Sequence, residues 1–133
     1  MIPRVVLASA SPRRRELLRR LGIEPVVRPA DVDESTLPGE QPAGHVARLA
    51  RTKATTVDRG PDDLVIAADT EVVLDGTVLG KPADAAEATA MLRGLSGRPH
   101  HVLTGVHVRH GSRDAGTVER TEVRFRELTD EEV

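Results

Sequence analysis

Two continuous apolar runs constrain the fold of this chain more than any other feature. Residues 5–8 and 64–68 contain only Val, Leu, Ile and Ala, which is typical of strands that are covered on both faces. Residues 12–22, 43–59 and 84–94 have the apolar spacing or the capping residues of helices. The predicted fold class is therefore α/β.

Composition excludes several kinds of protein. The chain has 133 residues and a formal charge of −2, so we expect one domain spanning residues 1–133 and no stable nucleic-acid binding, which needs a net basic face. It contains no Cys, which excludes zinc-thiolate sites, disulfides and thiol nucleophiles. No apolar stretch approaches membrane-spanning length, and we expect a cytoplasmic protein without a membrane partner. Phe125 is the only Phe, Tyr or Trp, so Tyr and Trp are excluded as stacking partners for a bound base.

The junction between the first strand and the first helix predicts a phosphate site. Ser11 can cap the helix, and Pro12 suits its first position. Free backbone N–H groups, the positive end of the helix dipole and the arginines Arg13 and Arg14 then converge on one spot. Both arginines can reach the same ligand only at the helix N-terminus, which favours a polyphosphate. The alternative is a capped surface helix with solvated arginines.

Charged residues near the second apolar run are candidates for chemistry. Asp69 follows that run, and we expect it at the carboxyl end of a central strand, where open α/β sheets bind ligands; it could equally be a cap or turn residue. Lys53 lies at the edge of the apolar stripe of helix 43–59 and either reaches inward or snorkels. Pro82 holds Lys81 in an extended conformation. Glu34 belongs to an acidic segment whose alternative is a solvated loop.

The remaining segments carry less chemistry. Asp75-Gly76 predicts a hairpin turn, and residues 101–110 and 118–128 predict an antiparallel pair joined by a loop at 111–116. The histidines of this region lack the spacing of a zinc site, so none is assigned. Residues 129–132 have the form of a capping box that opens another helix.

Several short motifs follow one another in a specific order along the chain. They are LASASPRRRELL at 7–18, ADT at 68–70, GKP at 80–82, MLRGLSG at 91–97, TGV at 104–106 and FRELTDEE at 125–132. Together they resemble the Maf family of nucleoside triphosphate pyrophosphatases, also called septum-formation-inhibitor proteins. The resemblance implies an elongated mixed sheet with flanking helices, similar to Maf and ITPase folds, and a cleft between two lobes. Family members continue further, through a D-K-A-G-like stretch and a Gln-Gly segment, so we expect a C-terminally short chain with an incomplete second lobe.

By motif matching, the resemblance also implies roles for individual residues. It implies substrate binding by Ser9, Arg13, Arg14, Lys53 and Thr70, catalysis by Asp69, Glu34 and Lys81, and metal ligation by Asp69 and Glu34. The implied cofactor is a divalent metal cation, Mg²⁺ or Mn²⁺. The charges of these residues agree with the implied roles. Hydrolysis of an α–β phosphoanhydride needs cations on the leaving pyrophosphate and a carboxylate with a divalent ion at the attacking water.

The resemblance implies a reaction as well. A nucleoside triphosphate would be converted to its monophosphate and pyrophosphate, and the Ser-Pro-Arg-Arg form resembles the branch acting on dTTP and UTP more than the branch acting on 7-methyl-GTP. Family members are often described as dimers, which implies a homodimer. Two alternatives stay open: a nucleotide-binding regulator of cell division without turnover, and an ordinary α/β domain without a ligand.

Overall fold

The computed structural model describes residues 3–80 and 82–133. Lys81, one of the predicted catalytic residues, lies outside the described residues. Along the described chain the elements are β1 (Val5–Leu7), α1 (Pro12–Arg20), β2 (Val26–Val27), α2 (Pro42–Thr56), β3 (Leu64–Leu74), β4 (Thr77–Leu79), α3 (Ala85–Leu95), β5 (Pro99–His110) and β6 (Arg113–Arg124). No helix in the described part of the chain is both long and apolar enough to cross a membrane.

One mixed sheet organises these elements. Its strand order is β2-β1-β3-β5-β6, and β4 pairs with the far end of β3. β1 is parallel to β2 and β3, whereas the pairs of β3 with β4 and β5, and of β5 with β6, are antiparallel. The chain leaves β1 to one side through α1 and returns past β1 through α2, so right-handed crossovers place the two helices on opposite faces of the sheet. The structure is thus an α/β sheet with flanking helices.

The core lies between α2 and one face of the sheet. Ala54 of α2 packs in a buried cluster with Val6 of β1, with Ala8 directly after β1, and with Val65 and Ala67 of β3. A second cluster joins Val46, Val73 and Leu103. α2 approaches β5 so closely that a Cβ at Gly105 would lie 2.4 Å from the Val46 carbonyl oxygen. Helix and sheet therefore hold one fixed relative position.

The helix boundaries follow the predicted signals. Ser11 is the N-cap of α1 and accepts a hydrogen bond from the Arg14 amide, with Pro12 at the first helical position. At the other end, Gly22 has φ +81° and its amide bonds to Arg19, while the Ile23 amide bonds to Leu18. This is a Schellman cap, which needs the left-handed conformation that glycine adopts most easily. These predictions are confirmed.

α2 and α3 also lie close to the predicted segments. α2 spans Pro42–Thr56, so it begins one residue earlier and ends earlier than the predicted 43–59. Asp84 caps α3 by accepting from the Glu87 amide, as predicted. At the C-terminal side, Thr129 and Glu132 bond reciprocally, as in the predicted capping box.

Two strand predictions were wrong. β3 does not stop before Asp69 but continues to Leu74, because residues beyond Ala68 pair with β5. Asp69 therefore lies inside a strand, not at its end. The loop predicted at 111–116 is also wrong, since β6 begins at Arg113. By contrast, the turn at Asp75 and Gly76, with φ of 51° and 78°, is confirmed.

Candidate active site

The site lies at a gap in the sheet beside β3. β1 ends after Leu7, and β3 continues beyond it to the part that pairs with β4. The amide of Ala8, directly after β1, donates to the Ile66 carbonyl of β3 at 2.9 Å and so extends the pairing of β1 with β3 by one bond. Carbonyls two residues apart on a strand point to the same side, so the Ala68 carbonyl faces the gap. Arg14 Nη1 lies where the next amide of β1 would lie if that strand continued, and it donates to Ala68 O at 3.1 Å. The guanidinium thus continues the hydrogen-bond pattern of β1 from the start of α1.

Arg14 also joins two other predicted site residues. Its Nη1 donates to Ser9 Oγ at 3.2 Å and its Nη2 donates to Thr70 Oγ1 at 3.0 Å. Thr70 Oγ1 in turn lies 3.3 Å from Thr104 Oγ1 on the neighbouring strand. The Ser9 hydroxyl accepts from the Ser11 amide at 3.1 Å as well, which shapes the turn into α1. Sequence motifs that are far apart in the chain therefore meet at one guanidinium.

Arg13 differs from its neighbour. It is exposed, and among the described residues it makes no side-chain hydrogen bond or ion pair. Adjacent residues on a helix point about 100° apart, so Arg13 cannot share the contacts of Arg14. Its guanidinium remains available at the helix N-terminus.

Lys53 connects the two predicted metal ligands. Its Nζ lies 3.1 Å from Asp69 Oδ1 and 3.4 Å from Glu34 Oε1. The side chains of Lys53 and Asp69 are only 13 % and 11 % exposed. Lys53 therefore reaches inward from α2 rather than snorkelling. Because side chains alternate along a strand, Asp69 faces α2 and Thr70 faces the opposite side of the sheet.

The carboxylates fit a hard divalent cation. Asp69 Oδ2 is buried and has no hydrogen-bond partner in the described part of the chain, and such an oxygen is costly unless something binds it. Asp69 and Glu34 already share one cationic neighbour, Lys53. Within the described residues no group of three or more His, Asp or Glu side chains could hold a metal. Two carboxylates completed by water and substrate phosphates are a common way in which proteins bind Mg²⁺.

Sequence reasoning missed two buried partners of this site, Glu71 and His45. Glu71 lies two residues after Asp69, so it points to the same face of β3. His45 Nδ1 is in contact with Glu71 Oε1, and His45 Nε2 lies 3.0 Å from the main-chain oxygen of Glu34. Burial raises the pKa of the Glu71 carboxyl, and the nearby Asp69 raises it further while His45 opposes the shift.

A helical spacing could have revealed His45. His45, Leu49 and Lys53 are four residues apart, so they lie on one face of α2. Glu71 was hidden because β3 was predicted to end before it. Both residues become part of the site only once α2 is packed on the extended strand.

The loop that carries Glu34 has a second anchor on α2. Arg48 Nη2 donates to the Ser35 carbonyl at 2.8 Å. Glu40 fixes the same guanidinium through bonds of 2.7 Å and 3.0 Å. The Arg48 guanidinium, as the main cause, lowers the pKa of Glu40 to about 2. Two residues one helical turn apart thus hold consecutive carbonyls of the loop.

Sequence comparisons identify similar proteins. The chain matches the family model described as "Maf-like protein" over residues 4–133. It is 56 % identical over 137 aligned residues to a dTTP/UTP pyrophosphatase of Anaeromyxobacter dehalogenans strain 2CP-1, covering 100 % of this chain and 69 % of the relative. It is 48 % identical to a dTTP/UTP pyrophosphatase of Geobacter sp. strain M21, covering 97 % and 68 %.

Solved structures share the fold. A nucleoside-triphosphatase (dITP/XTP pyrophosphatase) from Mycobacterium abscessus matches with a TM-score of 0.54 and 16 % identity, over 90 % of this chain and 72 % of that one. A HAM1 protein from Coxiella burnetii matches with a TM-score of 0.58 and 19 % identity, over 91 % and 72 %. The predicted mixed sheet with flanking helices is confirmed.

Proposed function

Because the chain belongs to the Maf-like protein family, we propose that it is a nucleoside triphosphate pyrophosphatase acting on dTTP and UTP. The reaction releases a nucleoside monophosphate and pyrophosphate. Support comes from relatives of that name at 56 % and 48 % identity. The single structural observation that carries the proposal is Lys53, whose Nζ bridges the carboxylates of Glu34 and Asp69.

The bond changes follow from the arrangement of the side chains. A water oxygen attacks the α-phosphorus, the bond from that phosphorus to the bridging oxygen breaks, and pyrophosphate leaves with that oxygen. The Asp69 carboxylate takes the proton of the attacking water. Lys53 holds its Oδ1 in place. Asp69 thus acts as the general base.

Cationic side chains bind the triphosphate. Arg13 supplies a guanidinium at the N-terminus of α1, where amide donors and the helix dipole also favour phosphate. Arg14 keeps Ser9 and Thr70 in position through its three hydrogen bonds. Lys53 neutralises charge near the reacting phosphate, and Lys81 is proposed for the same task from its motif alone. The leaving pyrophosphate is stabilised by positive charge of this kind.

The proposed metal ligands are Asp69 and Glu34, and the ion is Mg²⁺ or Mn²⁺. When bound, such an ion polarises phosphate oxygens and lowers the pKa of a coordinated water. The proposal also includes a single domain over residues 1–133 and a homodimer, which size-exclusion chromatography with light scattering tests directly.

A pyrophosphate-release assay tests the proposed reaction. The purified chain is incubated with dTTP, UTP, CTP, ATP, GTP and 7-methyl-GTP, each with Mg²⁺ or Mn²⁺. We expect equal amounts of monophosphate and pyrophosphate, with dTTP and UTP turned over fastest. Nucleotide binding without pyrophosphate release would contradict hydrolysis and favour a nucleotide-binding regulator of cell division.

A further inference from the structure

A buried chain of contacts joins β3 to the loop that carries Glu34. The His45 ring lies between them, with Nδ1 against Glu71 Oε1 and Nε2 at 3.0 Å from the Glu34 main-chain oxygen. The side chains of His45 and Glu71 are 7 % and 10 % exposed. The connection therefore runs through the protein interior and not along its surface.

The direction of the hydrogen bond between His45 and Glu34 follows from the nature of its two atoms. A main-chain carbonyl can only accept, so His45 Nε2 carries the hydrogen and donates it to Glu34 O. On the other side of the ring, Nδ1 lies against Glu71 Oε1, and this contact sets the orientation of the imidazole. Partners of this kind, one step away from the functional groups, are known to orient metal ligands.

The loop needs such an anchor because it has little packing of its own. Residues 31–36 form neither helix nor strand, and Asp31, Asp33, Glu34, Ser35 and Thr36 are all exposed. The Glu34 side chain is 59 % exposed, and its carboxylate meets Lys53 at 3.4 Å. An ion pair whose carboxylate is this exposed contributes little by itself. The main-chain bonds from His45 and Arg48 therefore anchor the loop to α2.

We propose that His45 is a positioning residue that fixes the main chain at Glu34 and thereby sets the separation of the Glu34 and Asp69 carboxylates. Its other partner, Glu71, lies on the same strand face as Asp69, two residues away. The imidazole thus ties the strand of one carboxylate to the main chain of the other. The inference rests on the proposed function, in which these two carboxylates hold the divalent cation.

Two variants that both carry a side-chain amide but differ in length by one methylene separate the two contacts of the imidazole ring. In His45→Gln the side-chain amide extends to about the position of Nε2 and can still donate to Glu34 O. In His45→Asn the amide is one methylene shorter, so it can meet Glu71 but not the Glu34 carbonyl. A loss of packing affects both variants, whereas a loss of positioning affects only His45→Asn.

The first readout is Mn²⁺ binding to the intact, nucleotide-free protein, followed by electron paramagnetic resonance of the free ion. We expect His45→Asn to raise the Kd for Mn²⁺ by about tenfold or more, and His45→Gln to stay within about threefold of the unsubstituted protein. With nucleotide present, the half-saturating Mn²⁺ concentration should rise in His45→Asn while the KM for dTTP stays nearly constant.

Val46→Ala is the matched control. Val46 is the next residue on α2, is fully buried and packs in the core with Val73 and Leu103. It should lower the Tm at least as much as His45→Asn and leave the Kd for Mn²⁺ unchanged.

The outcomes distinguish this inference from the proposed reaction. Equal Mn²⁺ affinity in His45→Asn and His45→Gln, an equal shift in Val46→Ala, or no Mn²⁺ binding by the unsubstituted protein would each overturn the positioning role. Pyrophosphate release in any of those cases would still support the reaction. If the expected Mn²⁺ pattern appears without pyrophosphate release, the positioning role stands and the proposed reaction fails.

Discussion

At the scale of single residues, neighbours in sequence have different surroundings in the structure. Asp69 faces α2 and pairs with buried Lys53, whereas Thr70 faces the other side of the sheet and pairs with Arg14. The Ala68-Asp69-Thr70 motif therefore serves both faces at once. Its backbone contributes as well, through the Ala68 carbonyl. A substitution in this motif should have an effect that depends on the face it touches.

We expect Asp69→Asn to reduce pyrophosphate release by at least about 100-fold, because it removes the proposed general base. Nucleotide binding should change little, since the amide keeps the size of the side chain. The rate of pyrophosphate release and the Kd for a non-hydrolysable nucleotide measure the two effects. Asp62→Asn, a change at an exposed turn, is the control. If Asp69→Asn retained near-normal release, Glu34 would become the next candidate for the base.

Arg13 and Arg14 should respond differently to truncation. Arg13→Ala should raise the Kd for nucleotide by about tenfold or more, because a charge-assisted hydrogen bond is lost, and leave the Tm nearly unchanged. Arg14→Ala should weaken binding and also lower the Tm, since Ser9, Thr70 and the Ala68 carbonyl lose a donor. Calorimetric titration and thermal melts compare the two variants. A large fall in Tm for Arg13→Ala with unaltered binding would show that Arg13 is structural.

At the scale of elements, the approach of α2 to β5 determines where Lys53 and His45 lie. This approach is possible only because Gly105 has no side chain, since a Cβ would lie 2.4 Å from Val46 O and 2.6 Å from its carbonyl carbon. Both atoms belong to the backbone and cannot turn away. The glycine of the Thr-Gly-Val motif therefore acts through packing and not through its φ angle.

Gly105→Ala should lower the free energy of unfolding by about 2–3 kcal/mol, because it overpacks a rigid interface. It should also weaken catalysis by shifting α2 away from Asp69. Gly44→Ala is the matched control, since a Cβ there meets nothing within 4 Å; as a helical glycine it should gain about 0.5 kcal/mol on substitution. Urea denaturation measures both changes. Equal stability of the two variants would contradict the packing role of Gly105.

At the scale of the whole molecule, two ion pairs link stability to pH. Arg4 holds Asp63 through bonds of 3.0 Å and 2.5 Å and, with the Gly60 amide, lowers the pKa of that carboxyl to about 2. Arg48 lowers the pKa of Glu40 to about 2 in the same way. Both acids titrate near 4 in an unfolded chain. Stability from a lowered pKa is present above the unfolded value and is lost as the pH falls through the folded value.

We therefore expect the free energy of unfolding to fall as the pH is lowered from about 5 to about 2. Urea denaturation across this range measures the slope. Asp63→Asn should reduce the slope, because one of the shifted groups is gone, while Asp62→Asn should leave it unchanged. A slope that is identical in Asp63→Asn and the unsubstituted protein would contradict the contribution of this pair.

The extent of sequence-based prediction also differs between the fold and the site. Caps and turns were predictable because they depend on a few adjacent residues, as at Ser11, Gly22 and Asp75-Gly76. The length of β3 was not, since its second half depends on pairing with β5, a strand that follows later in the chain. The predicted start of β6 was wrong for the same reason, since that start depends on pairing with β5.

The sequence by itself determined the α/β class, the helix starts and the family, and it supplied the residues proposed to bind triphosphate and metal, because local conformation and ordered motifs are encoded in short stretches. Only the tertiary structure decided that Lys53 joins Glu34 to Asp69, that Arg14 continues the pattern of β1, and that His45 and Glu71 support the acidic loop. These contacts depend on how closely α2 lies on the sheet and on where β1 stops. Both are set by the packing of distant segments, which spacing along the chain does not specify.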